Sequence, residues 1–422
     1  MDTTGQRHDD NGLFSRERLA GYESDTMRNA VVAVIGCGAG GNNIAMNLAL
    51  SGVGELRFVD YDVIESSNLT RSPLFRRDCL AHGAKRHKAR EVALGALSLS
   101  YAAEPRIRYA MSRAEQLGLG ALHGVSAIMS AVDSLASRAF LADAARLLGI
   151  PLIEAGFSGN RGQVTVFPNR SAEEPCWRCL HPGVETHSVS CGTYAANVVA
   201  EGRIPATQPL AAAFSALMSA ACLEAIHGRF PLGGRIFHLD ITTGKSSTAE
   251  ITADPACPGV HRVFPDIQPI DVRADDPLSR ILEAVGSRMK EPVVRLPMPF
   301  IVEAPCARCG SRVSVMRPAF AVREAPACKA CHKTPDDAPA LLLMVDSIGK
   351  GSRLRNVRCR KLGLPMAAIF EVEDAASGES HAYQLQGSVD DLYTTLKRKA
   401  GNGIDARCIE GSEATDMAAN KE

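Results

Sequence analysis

The sequence predicts an α/β fold: a doubly wound, Rossmann-like, mostly parallel sheet, with a zinc-ribbon-like insert and a small C-terminal α+β unit. Three observations predict it. From Val31 to about residue 170, apolar strand text (VVAVIG, ELRFVD, AIMSAVD, PLIEAG) alternates with helical stretches, the pattern of buried parallel strands joined by crossover helices. The first strand runs directly into Gly36-x-Gly38-x-x-Gly41 and then a helix. Further on, Cys306-x-x-Cys309 and Cys328-x-x-Cys331 stand 18 residues apart, a four-thiolate spacing.

Taken in order, residues 1–30 are polar and form an N-terminal arm with a short helix expected around 14–22. Residues 31–262 carry the alternating strands and helices. Within them, 171–205 break the rhythm with Pro, Gly and polar residues, an Ala-rich helix follows (PLAAAFSALMSAACLEAIHG), and a strand pair is expected around RIFHLDIT. Pro-rich text over 263–300 reads as a linker. The cysteine-paired module spans 301–335, a small α+β unit 338–410, and a flexible tail 411–422.

Composition bounds the function. At 422 residues the chain holds two to three domains. Lys+Arg and Asp+Glu both number 47, so the net charge is zero, which argues against a nucleic-acid binder. Hydrophobic residues at 45% and charged residues at 22% are globular values. No uninterrupted apolar run reaches the ~18 residues of a spanning helix, and the N-terminus lacks a signal layout. A soluble, cytoplasmic protein with no membrane partner is the expectation. Thirteen cysteines then read as ligands and thiols, not as a disulfide framework.

The glycine loop lets backbone approach a phosphate, and the helix behind it offers free N–H groups and a positive dipole end. Asp60 closes the next strand 19 residues after Gly41, where a carboxylate holds a ribose hydroxyl. Alone this suits a nicotinamide or flavin dehydrogenase equally well. The text that follows, Asp60-Tyr-Asp62-Val-Ile-Glu-Ser-Ser-Asn68-Leu-Thr-Arg71 with Lys88 beyond it, adds amide, guanidinium and ammonium groups that a triphosphate needs as pyrophosphate leaves. Asp133, at the end of AIMSAVD, sits where a carboxylate can hold Mg²⁺.

With the glycine loop, D-x-D-x-V-x-x-SNL-x-R, a Lys-Ala pair and Asp133…Arg138 all present, the sequence resembles the ThiF/ubiquitin-activating-enzyme superfamily of ATP-dependent adenylyltransferases over residues 14–261, roughly 60% of the chain. The resemblance implies that Asp60 binds ribose, that Asn68, Arg71 and Lys88 contact phosphates, and that Asp133 places magnesium. FSRER resembles an arm whose arginine, here Arg16, reaches the γ-phosphate across a homodimer. Gly83 and Lys88 are five residues apart where the family usually has three, so Lys85 is an alternative to Lys88.

Further implications concern the partner. In the family, the C-terminal carboxylate of a small ubiquitin-like (β-grasp) protein ending in glycine attacks the α-phosphate. Cys191, in the irregular stretch before the Ala-rich helix, is the expected thioester nucleophile, with Cys79 a second choice, and a conjugating enzyme is the expected acceptor. The added cysteine module and C-terminal unit resemble the activating component of bacterial ubiquitin-like conjugation systems, some acting in antiviral defence. The rivals are a sulfur-carrier adenylyltransferase, an enzyme modifying a peptide or amino-acid carboxylate, a non-catalytic scaffold of the same fold, and a dehydrogenase.

Two structural zinc sites are expected. Cys306, Cys309, Cys328 and Cys331 form one. Cys176 and Cys179 with Cys257 and His261 form the other, with His181 as the alternative fourth ligand. Arg353, Arg355, Arg358, Arg360 and Lys361 form a basic cluster, read first as a solvated strand edge and second as a docking face for an acidic partner.

Overall fold

A computed structural model describes residues 10–83, 85–102, 104–182, 206–306, 308–322, 328–331, 343–398 and 404–405. Cys191 lies outside the described residues. Five strands, β1 (Val31–Ile35), β2 (Glu55–Val59), β3 (Arg106–Ala110), β4 (Ala127–Ser130) and β5 (Leu152–Ser158), run parallel in the order β3-β2-β1-β4-β5. The order reverses between β1 and β4, and a crevice opens at such a switch point beyond the carboxyl ends of the strands. β6 (Arg161–Phe167), β7 (Arg235–Asp240) and β8 (Ser246–Glu250) extend the sheet antiparallel.

Both faces of the parallel part are covered, which is why its strands are mainly apolar. Val32, Val34, Leu56 and Phe58 are fully buried on one face and Ala33 and Ile128 on the other. The covering helices are α3 (Ala39–Leu50), α4 (Lys88–Leu99) and α5 (Leu135–Leu147), after short N-terminal turns that include α1 (Ser15–Leu19) and α2 (Ser24–Asn29). A short α6 (Trp177–Leu180) follows, and then α7 (Gln208–Ile226).

By length and mean composition α7 would be able to cross a membrane, although no uninterrupted apolar run spans it. Ser215, Ser219 and Glu224 divide its apolar text. Here it packs on α3 and on β5 and β6. Leu210, Phe214 and Cys222 are fully buried, while Ser215 Oγ donates to Gly40 O at 3.0 Å and Asn47 Nδ2 to Ser219 Oγ at 3.2 Å.

The expected linker over 263–300 is instead structured. It supplies β9 (Ile267–Pro269), α8 (Ser279–Val285) and the first half of β10 (Pro292–Pro305), with Pro292 at the first residue of β10 and Pro297 and Pro299 where its pairing register shifts. With β11 (Arg312–Pro318), β12 (Leu343–Gly349), β13 (Ile369–Asp374) and β14 (Ser380–Gln384), these build a second sheet, ordered β11-β10-β13-β14-β9, with β12 also paired to β10. Its core holds Leu278, Ile281, Phe300, Cys359, Leu362 and Phe370.

The C-terminal unit is divided between the sheets. β15 (Thr394–Arg398) returns to the first sheet, antiparallel to β3, and β16 (Ile404–Asp405) pairs with it. Tyr393 anchors this return: it is buried, donates to Ala121 O at 3.3 Å, and lies under the Arg57 guanidinium. The basic cluster lies on and beside two 3-10 turns, Arg353–Asn356 and Cys359–Leu362, and not a strand edge; its basic side chains are exposed while Leu354, Cys359 and Leu362 face the core.

Candidate functional site

At the β1/β4 switch point lies a cleft of about 540 Å³. Gly36 turns the chain out of β1 at φ 91°, and a Cβ there would stand 2.5 Å from Ala131 O. Gly41 has the same structural duty: its Cβ would stand 1.9 Å from Gly36 O. Gly41 is thus a packing glycine beneath the turn, and not a cleft residue as expected. Gly38 differs from both, since a Cβ on it would meet nothing within 4 Å, and it lines the open cleft at the start of α3.

Asp60, Asp62, Asn68, Arg71, Lys88, Asp133 and Arg138 line the same cleft as Gly36 and Gly38. The sequence separates them by up to a hundred residues, and the strand ends bring them together. Asp60 is fixed by two backbone donors, Cys37 N and Asp62 N, each at 2.7 Å. Burial raises its carboxyl above the ordinary aspartate range, against these two bonds and the Lys88 charge. Asn68 Oδ1 accepts from Glu65 N at 2.9 Å, which locks the SNL turn. Asn42 ties that segment to the glycine loop, accepting from Leu74 N at 3.0 Å and donating to Cys37 O at 3.0 Å.

Lys88 opens α4 and donates to Asp62 Oδ2 at 2.8 Å. Burial lowers the pKa of this amine, but the Asp62 bond and the charges of Asp60, Asp62 and Asp133 outweigh it, so the net shift is upward. Lys85 is exposed and does not line the cleft, so Lys88 is the lysine at this site. Arg71 and the exposed Asp133 carry no ion pair among the described residues. Ser130 Oγ, at the cleft floor, is buried without a hydrogen-bond partner among the described residues. An open site with two unpaired opposite charges and an orphaned hydroxyl is built for a polar ligand.

Other lining residues carried no motif. Arg113 stacks over the Tyr61 ring at 3.9 Å, and Glu115 accepts from Ser137 Oγ at 2.6 Å. Arg16 is exposed on α1 and does not line the cleft of its own chain.

The cysteine pairs form two compact donor clusters, each with all four ligand atoms within 4.8 Å of one another. Zinc at ~2.3 Å from each sulfur sets tetrahedral S···S edges of roughly 3.8 Å. Cys176 Sγ stands 3.7 Å from Cys179 Sγ and 3.6 Å from Cys257 Sγ. His261 Nε2 is 3.4 Å from Cys179 Sγ, and its Nδ1 faces Ala172 O at 3.1 Å, which orients the ring. His181 instead packs against Trp177, so the fourth donor is His261. In the second cluster Cys306 and Cys331 are 3.7 Å apart and Cys309 and Cys328 3.6 Å. Both donor sets fit tetrahedral zinc.

The remaining described cysteines, Cys37, Cys79, Cys222 and Cys359, are buried. Burial raises each thiol, to about 12 for Cys222 and Cys359. Cys79, the second choice as nucleophile, is buried beside Glu91, and burial raises its thiol.

The model described as the ThiF family matches residues 15–259, ending before the second sheet begins. The adenylyltransferase and sulfurtransferase MOCS3 of Mus musculus is 36% identical over 156 residues, covering 36% of this chain and 32% of that protein. The sulfur carrier protein adenylyltransferase of Thermus thermophilus is 28% identical over 246 residues, covering 56% of this chain and 83% of that protein. The chain thus spans about a third of the length of the MOCS3 relatives it matches. Among solved structures, E. coli MccB with ATP is 19% identical, with a TM-score of 0.49, over 60% of this chain and 75% of that one.

Proposed function

The chain belongs to the ThiF family, and on that premise we propose that it adenylates the C-terminal glycine carboxylate of a small β-grasp protein, using ATP and Mg²⁺. The observation that carries this reading is the convergence of Gly38, Asp60, Asn68, Arg71, Lys88 and Asp133 on one cleft at the strand-order switch. A carboxylate is already ionised at neutral pH, so its oxygen bonds the α-phosphorus and pyrophosphate leaves without a general base. What the step needs is positioning and charge stabilisation. Asp60 holds the ribose, the N-terminus of α3 and Asn68 face the phosphates, and Arg71 and Lys88 stabilise the leaving pyrophosphate. Asp133 holds magnesium, which neutralises phosphate charge when bound. A second copy of the chain supplies Arg16, because the arm does not reach its own cleft. Both cysteine clusters hold structural zinc.

In this reading the Cys191 thiolate attacks the acyl-adenylate, AMP leaves as the thioester forms, and the acyl group then passes to the thiol of a conjugating enzyme. A second reading is favoured by the names of the relatives, adenylyltransferase with sulfurtransferase and sulfur-carrier adenylyltransferase: a separate sulfur donor displaces AMP from the adenylate to give a thiocarboxylate, and no enzyme thioester forms. Intact mass under non-reducing conditions separates the two, using the full chain, Mg·ATP and a β-grasp protein ending in Gly-Gly. A thiol-labile adduct that is lost in Cys191→Ala supports the thioester. Adenylated partner without any adduct supports the sulfur-carrier reading, and neither product refutes both.

A further inference from the structure

Behind the cleft, three side chains join the nucleotide site to the first cysteine cluster. Arg138, in the first turn of α5, lines the cleft and has its side chain 16% exposed. One guanidinium nitrogen lies 3.3 Å from Glu154 Oε2 and another donates to Ala155 O at 2.9 Å. Glu154, on β5, is 3% exposed. Its other oxygen accepts from Trp177 Nε1 at 3.0 Å. Trp177 stands between Cys176 and Cys179, 1% exposed, with its ring 4.3 Å from that of His181. The tight turn that presents the two sulfurs therefore also presents the indole N–H.

A carboxylate buried this deeply is expensive unless it is paired, and an apolar side chain would fill the same place at less cost. Glu154 does what an apolar residue cannot: it holds the Arg138 guanidinium at the cleft wall and takes its own orientation from the indole. We propose that Glu154 is a positioning residue through which the Cys176/Cys179 turn sets Arg138 in the nucleotide cleft, so that the integrity of that turn governs nucleotide affinity. The inference rests on the nucleotide reading of the cleft.

A double-mutant cycle on the full-length, zinc-loaded protein tests it, with binding of a non-hydrolysable ATP analogue followed by calorimetry. Trp177→Phe keeps the ring and removes only the N–H donor. It weakens binding roughly three- to tenfold, in the range of couplings between contacting residues, while zinc content and melting temperature hold. In an Arg138→Gln background the same change has no further effect. Unchanged binding in Trp177→Phe, or effects that multiply in the double variant, overturns the proposal. Should Trp177→Phe lose zinc or melt early, Glu154→Gln replaces it in the cycle under the same criterion. Trp177 is the chain's single tryptophan, which gives a second readout: saturating analogue shifts its emission in the wild type and leaves it unmoved in Arg138→Gln. A shift that persists in Arg138→Gln contradicts the coupling. Failure of the wild type to bind the analogue at all refutes the nucleotide reading itself, and this proposal with it.

Discussion

Lys88 Nζ lies 2.8 Å from Asp62 Oδ2, a pair that bridges the end of β2 and the first turn of α4 at the cleft wall. Lys88 is 13% exposed and Asp62 44%, so the pair is held by the site more than it holds the fold. Lys88→Met should weaken ATP binding about 10- to 100-fold, the loss expected for a charge-assisted hydrogen bond. Stability should change by less than about 1 kcal/mol. Lys85→Met should bind as the wild type does. Calorimetric titration of the three proteins with an ATP analogue checks the contrast.

Asp133 is exposed in the cleft with no ion pair among the described residues. Asp133→Asn should therefore leave the melting temperature where it is and cut the rate of adenylation by about 100-fold or more. A variant that keeps its rate under saturating Mg²⁺ contradicts the metal role.

Gly38 and Gly41 should respond oppositely to a methyl group. Gly41→Ala drives a Cβ into Gly36 O and should cost about 1–3 kcal/mol or more of stability. Gly38→Ala points its methyl into open cleft, so it should melt normally and bind nucleotide poorly. Thermal melts and binding of the pair, side by side, decide it.

Acid should weaken nucleotide binding sooner than a free aspartate would suggest. Burial raises the Asp60 carboxyl, so the ionised ribose acceptor exists above that raised pKa and disappears as the pH falls through it. Lys88, shifted upward, keeps its charge beyond the ordinary lysine range. Affinity should hold on the alkaline side and fall only on the acid side, as the pH drops through the raised Asp60 pKa. The sign for stability is the reverse. With a folded pKa above the unfolded one, the Asp60 contribution to the ligand-free fold is present below the unfolded value and lost as the pH rises through the folded one. An alkaline loss of binding below pH 9 contradicts this account.

Native alkylation should spare Cys37, Cys79, Cys222 and Cys359. Thiols near 12, as at Cys222 and Cys359, hold roughly one part in 10⁴ thiolate at pH 8. Peptide mapping after iodoacetamide, with both clusters zinc-loaded, should find these four unmodified until denaturant is added.

The parallel core was legible because most of its strands are buried on both faces and read as mainly apolar text. β3, RIRYA, was not, since arginines at its first and third positions face the more open side of the sheet. Asp60, Asn68, Arg71, Lys88 and Asp133 could be named from motif spacing, and the strand ends bring them together. Arg113, Glu115 and Glu154 have no such spacing and enter the site only through the fold. The second sheet was obscured by proline: a Pro-rich stretch resembles a linker, yet Pro292, Pro297, Pro299 and Pro305 all lie within β10, a strand whose register shifts where it changes neighbours. The return of β15 to the first sheet depends on the buried Tyr393 and on a long-range pairing that local pattern does not encode.

The most direct measurement is ATP–pyrophosphate exchange by the full chain with Mg²⁺ and a β-grasp protein ending in Gly-Gly. Exchange that requires the partner's free C-terminal carboxylate, and that falls in Asp133→Asn and Lys88→Met, is the predicted result. Exchange independent of that carboxylate, or tight nicotinamide binding with no exchange across a panel of such partners, would contradict adenylation as the work of this cleft.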